Sequence, residues 1–230
     1  MTRRFRDRAD AGRQLAALLS EYAGRPDVLV LGLPRGGVPV AFEVARSLGA
    51  PLDVFLVRKL GVPGHEELAM GAIASGGIYV LNDGVVGPLH IPERIISQVA
   101  AEEQRELERR ERAYRGHLPP VDVRGRIVIL VDDGLATGST MRAAAAALRR
   151  LQPARVVVAV PTAAPEICDE FRSEVDQIVC AITPEPFYAV GLWYEDFEQI
   201  GDAEVCDLLA QSAPRKAELP AAPGAAGCSR

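Results

Sequence analysis

The stretch IVILVDDGLATGSTMRAAAAALRRL, residues 127–151, decides how the rest of the chain can fold. Its first five residues are consecutive aliphatics and mostly β-branched, which predicts a strand buried on both faces in a parallel sheet. Asp132 and Asp133 end this strand, small and hydroxylated residues follow, and an alanine-rich segment then has strong helix propensity. The stretch therefore predicts a strand, a loop and a helix N-terminus.

The loop has the chemistry of a phosphate site. A helix start presents free backbone N–H groups and the positive end of its dipole, and Gly138 lets a ligand approach the backbone closely. Helix starts normally recruit Asp or Glu into the first turn, yet no acidic residue occurs from Gly134 to Leu151. We therefore expect a ligand to bring the anion.

Asp132 and Asp133 lie on the strand side of the same loop. Ionised carboxylates only accept hydrogen bonds, and a vicinal diol offers two donors about one sugar away from a 5′-phosphate. The alternative is that the two aspartates cap a tight turn and that Ser139 or Thr140 caps the helix. A cradle for ribose 5-phosphate is favoured, because carboxylates, glycines and hydroxyls converge where open α/β sheets bind ligands.

Two commoner nucleotide motifs are excluded. A Walker A loop needs a lysine after its second glycine, and no lysine occurs between Lys59 and Lys216. A Rossmann fingerprint needs G-x-G-x-x-G at the strand-to-helix turn, which GLATG does not supply. We therefore expect neither a P-loop NTPase nor a dinucleotide-binding protein.

Composition indicates one soluble domain over residues 1–211. The chain has 230 residues, 48% hydrophobic and 25% charged, which is enough for a sizeable core. A net charge of −5 and a pI near 5.4 argue against a nucleic-acid partner. Nowhere do about 18 apolar residues run together, so no membrane partner is expected. Residues 212–230, rich in Ala, Pro and Gly, are predicted to form a disordered tail.

The four cysteines show neither C-x-x-C spacing nor a nearby histidine cluster; they are Cys168, Cys180, Cys206 and Cys228. This pattern favours reduced thiols over zinc ligands or disulfides. The sequence therefore predicts a cytoplasmic protein.

The segment VILVDDGLATGSTM, residues 128–141, resembles the phosphoribosyl pyrophosphate (PRPP) motif of the type I phosphoribosyltransferases. In that family the acidic pair engages the ribose hydroxyls and the small-residue loop binds the 5′-phosphate. The resemblance therefore assigns Asp132 and Asp133 to the diol, and it assigns the phosphate to Ala136, Thr137, Gly138, Ser139 and Thr140. It also implies an α/β fold: a central, mostly parallel sheet with helices on both faces and a small C-terminal hood.

A second glycine loop, LPRGG at residues 33–37, follows the first predicted buried strand. Without the resemblance it is a tight turn with a solvated arginine, or a site where Arg35 binds a second anion. It resembles the family's pyrophosphate loop, which assigns Arg35, Gly36 and Gly37 to PRPP. By the same resemblance, we expect a cis peptide bond between Pro34 and Arg35.

The segment RKLGVPGHEE, residues 58–67, places two cations at the predicted end of the second strand, and glycines and a proline follow. This composition suggests a mobile loop. It resembles the family's lid, so Arg58 and Lys59 are expected to neutralise the leaving pyrophosphate. His65 is a candidate proton shuttle, but a lone loop histidine beside Glu66 and Glu67 is more often a solvated residue.

The aromatic residues concentrate in PEPFYAVGLWYEDFEQIGD, residues 184–202. Aromatic rings stack on a base or anchor a core, and composition does not decide between the two. The segment resembles the hood that covers the base in 6-oxopurine phosphoribosyltransferases, which assigns base binding to Tyr188 and Trp193.

Two helices are predicted to serve packing rather than chemistry. Residues 8–22 carry Leu15, Leu18 and Leu19 on one helical face. Residues 92–115 form a charged helix with i, i+4 ion pairs, which suits a solvated scaffold as well as a partner surface.

The resemblance implies transfer of ribose 5-phosphate from PRPP to a nitrogen nucleophile, expected to be a nucleobase, with release of pyrophosphate. Catalysis is assigned to Arg35, Lys59 and Asp133. Mg²⁺ is the expected cofactor, held mainly by PRPP oxygens with a weak contribution from Asp132. The alternative is a non-catalytic regulatory protein that binds PRPP or a nucleotide. A homodimer is one expectation for the assembly, which the sequence does not fix.

Overall fold

The computed structural model describes residues 4–116, 119 and 122–212. The strands are β1 (Val28–Gly32), β2 (Leu52–Val54), β3 (Val57–Val62), β4 (His65–Ala74), β5 (Ile78–Leu81), β6 (Ile127–Val131), β7 (Arg155–Thr162) and β8 (Gln177–Ile182). The helices are α1 (Arg8–Leu18), α2 (Gly37–Leu48), α3 (Asp83–Val86), α4 (Glu93–Arg115), α5 (Ser139–Arg150), α6 (Pro165–Glu174) and α7 (Asp202–Ser212). The predicted disordered tail lies outside the described residues, apart from Ser212.

Five strands form a sheet in the order β2-β1-β6-β7-β8, and each neighbouring pair is parallel. The predicted α/β fold with a central parallel sheet is therefore confirmed. In β1 and β6 the register pairs Gly32 with Val131, so both strands end at the same level. The loops that follow β1 and β6 consequently lie side by side at the carboxyl edge of the sheet.

Alternating side chains of the central strands build two cores. Val28 and Val30 of β1 pack with α1 and α2 on one face. Leu29 and Leu31 pack with α5 and α6 on the other face. Because both faces are covered, every residue of β1 and β6 is buried, as the aliphatic runs predict.

A second, three-stranded antiparallel sheet has the order β3-β4-β5. It contains the segment in which a mobile loop was expected, and that expectation is wrong for most of its length. Arg58 and Lys59 pair with Ile73 and Ala72 inside a hairpin that turns at Pro63 and Gly64. The sequence does not predict this hairpin, because apolar and polar residues alternate only weakly in a segment rich in glycine and charged residues.

Helix α4 packs along β3 and β4 and against α7, and it buries Ile96, Leu107 and Tyr114. At its C-terminal end, Arg115 donates to both carboxylate oxygens of Asp53 at 3.0 Å. The predicted charged helix is confirmed, but one of its faces is a packed part of the molecule.

Cys168 of α6 and Cys180 of β8 form a disulfide, so the prediction of reduced thiols is wrong for this pair. The two cysteines are twelve positions apart in the sequence, and the packing of α6 beside β8 brings them together. Cys206 is a free cysteine. Among the described residues, no helix has the length and apolarity needed to cross a bilayer.

Candidate active site

The loop after β1 packs directly onto the acidic pair after β6. A Cβ at Gly37 would lie 2.7 Å from the Val131 carbonyl oxygen and 2.8 Å from Asp132 Cα. A Cβ at Gly36 would overlap the Asp133 carboxylate. Glycine is therefore required at both positions by close approach of the two loops. The peptide bond between Pro34 and Arg35 is cis, as predicted.

The phosphate loop ends at the N-terminus of α5. Gly138 is the N-cap residue with φ of +69° and has no side chain to cap the helix, and the first turn carries no acidic residue. The Ser139 N–H donates only a long hydrogen bond, 3.5 Å, to Thr137 Oγ1. The N–H groups of Ala136, Thr137 and Gly138 donate no hydrogen bond among the described residues. The alternative in which Ser139 or Thr140 caps the helix is not observed, and the loop presents free donors at a helix dipole.

Arg142, in the first turn of α5, holds the backbone of this loop in place. Its Nη1 donates to the Thr137 carbonyl oxygen at 2.9 Å, and its Nε donates to Glu174 at 2.8 Å. Its guanidinium also lies over the Phe171 ring. No local pattern in the sequence indicates this role, because Glu174 belongs to a different helix.

The acidic pair is electrostatically unusual. Burial raises the pKa of Asp132 well above its usual range, and the charge of Asp133 raises it further. Burial also raises the pKa of Asp133, against the opposing effect of the Arg8 guanidinium. Arg8 Nε donates to Asp133 Oδ2 at 2.9 Å, and Asp132 accepts from the Asp133 backbone N–H at 2.9 Å. One cation therefore offsets part of the negative charge of two crowded carboxylates.

Arg8 comes from α1, which was expected to serve packing only, and that expectation is wrong for its first residue. Arg8 is 9% exposed, and its Nη1 donates to the Glu198 carbonyl oxygen at 2.8 Å. Its guanidinium also stacks 3.9 Å from the centre of the Phe197 ring. Arg8 thus joins the acidic pair to the C-terminal hood, residues 187–200.

The hood contacts the acidic pair a second time through Tyr194. Its hydroxyl donates to the Asp133 carbonyl oxygen at 2.6 Å, and burial raises its pKa so that the proton stays in place. Its ring packs against Phe5 and Phe197. Aromatic enrichment pointed to this segment, but Tyr188 and Trp193 were chosen instead of Tyr194.

The two proposed base-binding residues are placed differently. Tyr188 is 79% exposed, so its ring is free to meet a ligand. Trp193 packs with Phe5 and Tyr194, and its Nε1 is buried without a hydrogen-bond partner among the described residues. Stacking on a base stays a prediction for Tyr188, whereas the contacts of Trp193 are those of a hood anchor.

Arg58 and Lys59, the two cations predicted to act in a lid, line a cleft of about 510 Å³ that reaches Thr140, at the end of the predicted phosphate loop. Arg58, Lys59 and Thr140 line this cleft together with residues of α4. Arg58 Nε donates to Glu103 Oε2 of α4 at 2.5 Å. The hairpin therefore holds both predicted cations beside the end of the phosphate loop. His65 is exposed at the hairpin turn, as expected for a solvated residue.

Comparisons with known proteins show the family of this chain. A family model described as phosphoribosyl transferase domain matches residues 4–183. Protein MT0597 of Mycobacterium tuberculosis, which carries a provisional name as a phosphoribosyl transferase, is 49% identical over 205 residues. These residues are 89% of this chain and 46% of that protein, so the chain spans about half the length of this relative.

Two further relatives extend the comparison. Bifunctional protein PyrR of Chloroflexus aurantiacus is 35% identical over 136 residues, 55% of this chain and 65% of that protein. The crystal structure of TT1426 from Thermus thermophilus has 43% identity and a TM-score of 0.82. The structural match covers 92% of this chain and 100% of the TT1426 chain. Since the family model matches well over half of the sequence and the fold agrees, the chain belongs to the type I phosphoribosyltransferase family.

Proposed function

We propose that this protein transfers ribose 5-phosphate from PRPP to a nitrogen nucleophile, a nucleobase in the simplest case, and releases pyrophosphate. The observation that carries the proposal is the packing of Gly36 and Gly37 onto the acidic pair. This packing brings the glycine loop after β1, two carboxylates and the N-terminus of α5 together at one edge of the sheet. PRPP has a group to match each of them: pyrophosphate, a ribose diol and a 5′-phosphate.

In the reaction, the bond between C1′ and the pyrophosphate oxygen breaks and a bond from C1′ to the acceptor nitrogen forms. Positive charge develops on the ribose while negative charge grows on the departing pyrophosphate. Arg35, Arg58 and Lys59 supply fixed positive charge on the leaving-group side, the main lever on the rate of such a step. Asp133 and Asp132 hold the ribose hydroxyls, and residues 136–140 hold the 5′-phosphate. The sugar is thereby oriented for attack.

Mg²⁺ fits this site as an ion that PRPP carries. The described residues contain no group of three or more acidic, histidine or cysteine side chains that could hold a metal by themselves. Mg²⁺ usually binds phosphate oxygens with one or two carboxylates, which Asp132 and Asp133 provide here. When bound, the ion would neutralise charge on the pyrophosphate.

We predict that hypoxanthine and guanine are poor substrates. In 6-oxopurine enzymes the phosphate loop carries an aspartate facing the imidazole nitrogen of the purine, and the matching residue here is Ala136. Those enzymes also place a lysine after the next strand, where this chain has Thr162 and Ala163 at the end of β7. Leaving the 6-oxo group unpaired costs about 1–3 kcal/mol, so both bases should turn over about 5- to 150-fold more slowly than the best base. The loop is more similar to that of adenine phosphoribosyltransferases, which also have alanine there.

One experiment tests the function and the base preference together. The protein is incubated with PRPP, Mg²⁺ and a panel of purine and pyrimidine bases, and pyrophosphate release is measured. We expect base-dependent release, with hypoxanthine and guanine among the slow members. Turnover of either base as fast as the best base would contradict the interpretation of Ala136. PRPP binding without release on any base would favour a regulatory protein over a transferase.

A further inference from the structure

Helix α4 brings an arginine to the pyrophosphate end of the proposed site. A small cavity lies between the loop after β1, the start of β3 and the N-terminal end of α5; Pro34, Val57, Arg58, Arg110 and Thr140 are among the residues that line it. This cavity shares Val57, Arg58 and Thr140 with the larger cleft at the lid cations. Arg110 therefore lies among residues of the pyrophosphate loop, the lid and the phosphate loop.

The charges of Arg110 and Arg35 act on a common neighbour, Tyr114. Tyr114 follows Arg110 by one helical turn, and its hydroxyl donates to Asp202 at 2.6 Å. Burial and this hydrogen bond raise the pKa of Tyr114 to about 12, while the charges of Arg110 and Arg35 both act to lower it. Two guanidinium groups from distant parts of the sequence thus act on one phenol, whose hydroxyl donates to the Asp202 carboxylate.

Carboxylates of α4 hold the arginines of this cluster. Arg110 Nε donates to Glu106 Oε1 at 2.8 Å, and Arg58 Nε donates to Glu103 Oε2 at 2.5 Å. Each side chain of these pairs is only partly exposed, between 25% and 32%. Glu103, Glu106 and Arg110 recur at spacings of three and four residues, so they share one face of the helix. A carboxylate is a monovalent acceptor that pyrophosphate, with more charge and more oxygens, can displace.

We infer that Arg110 of α4 is a further pyrophosphate-binding residue, which Glu106 holds in place until the leaving group of PRPP replaces its carboxylate. The inference rests on the proposed function, since it names a residue of the same site. It also explains why a helix outside the family's loops carries acidic and basic residues on the face toward the lid. Arg110 would add a positive charge to the cavity that Pro34 and Arg58 also line.

The chain contains a matched control for Arg110. Arg109 precedes it on the helix and binds the same carboxylate, with Nε donating to Glu106 Oε2 at 2.7 Å. Arg109 is 59% exposed, however, and does not line the cavity. Arg109→Ala and Arg110→Ala therefore remove the same charge and the same ion-pair partner, but only Arg110→Ala removes a cation from the cavity.

The test is calorimetric titration of wild type, Arg110→Ala, Arg110→Lys and Arg109→Ala with magnesium pyrophosphate, and separately with ribose 5-phosphate. The Arg110→Ala protein should bind pyrophosphate about ten- to a hundredfold more weakly than wild type, because it loses one charge-assisted contact. Arg109→Ala should stay within about twofold of wild type, and Arg110→Lys should recover part of the loss. Ribose 5-phosphate affinity should be the same for all four proteins, because that ligand lacks the leaving group.

Equal effects of the two alanine substitutions on pyrophosphate, or equal losses for both ligands in Arg110→Ala, would overturn the inference. Binding of ribose 5-phosphate but not of pyrophosphate to the wild-type protein would also overturn the inference. That result would leave the proposed ribose 5-phosphate cradle intact. Failure of wild type to bind either ligand would instead remove the proposed function and this inference with it.

Discussion

Arg8→Ala is expected to lower the melting temperature by about 6–12 °C. The substitution leaves the Asp133 carboxylate, 16% exposed, without its cationic partner. It also removes the contacts of Arg8 with Glu198 and Phe197. Breaking a buried ion pair by removing one partner costs about 3–5 kcal/mol, and the lower figure suits a pair with some solvent access. For a domain of this size, each kcal/mol corresponds to about 2–4 °C.

Arg6→Ala provides the control for this experiment. Arg6 lies two residues earlier and pairs with Asp10, but its side chain is 65% exposed. Such surface pairs contribute little, so Arg6→Ala should change stability by no more than about 0.5 kcal/mol. Thermal unfolding followed by circular dichroism compares the two variants. Similar melting temperatures for both would show that Arg8 does not hold the acidic pair and the hood together.

Asp133→Asn is expected to weaken PRPP binding about ten- to a hundredfold. The substitution removes a charged acceptor for the ribose diol, and a charge-assisted hydrogen bond contributes about 1.5–3 kcal/mol. Asparagine keeps one oxygen that can accept from Arg8 Nε, so the fold should survive. Calorimetric titration with PRPP and Mg²⁺ measures the affinity, and a melting curve of the same sample reports on folding.

Asp27→Asn is a suitable control, because Asp27 pairs with Arg25 at the surface, away from the site, and is 44% exposed. Its affinity for PRPP should equal that of wild type. A folded Asp133→Asn protein with unchanged PRPP affinity would remove the carboxylate pair from the ribose site.

The sequence predicts much of this fold because its signals are local. Two runs of aliphatic residues, each followed by a glycine-containing loop, predict buried strands that end in loops, and the structure places both in the parallel sheet. The cis peptide before Arg35 and the uncapped start of α5 also agree with expectation. Each of these features depends on about ten neighbouring residues, so a motif can describe it.

The functional residues that the sequence did not predict contact residues that are far away in the sequence. Arg8 and Asp133 are 125 residues apart, and an arginine in the first turn of an amphipathic helix looks like any solvated charge. Arg110 belongs to a helix whose alternating charges also fit a solvated face. The hairpin of β3 and β4 was missed because its pairing depends on a partner strand rather than on alternation within it. Tertiary contacts decide these three cases.

The central claim is that the edge of the sheet formed by the loops after β1 and β6 binds PRPP. Calorimetric titration of the wild-type chain with PRPP and Mg²⁺ tests it directly, followed by displacement with ribose 5-phosphate. We predict one PRPP per chain, displaced competitively by ribose 5-phosphate, because both place a 5′-phosphate at the start of α5. The absence of binding at millimolar PRPP, or PRPP binding that ribose 5-phosphate does not displace, would contradict it.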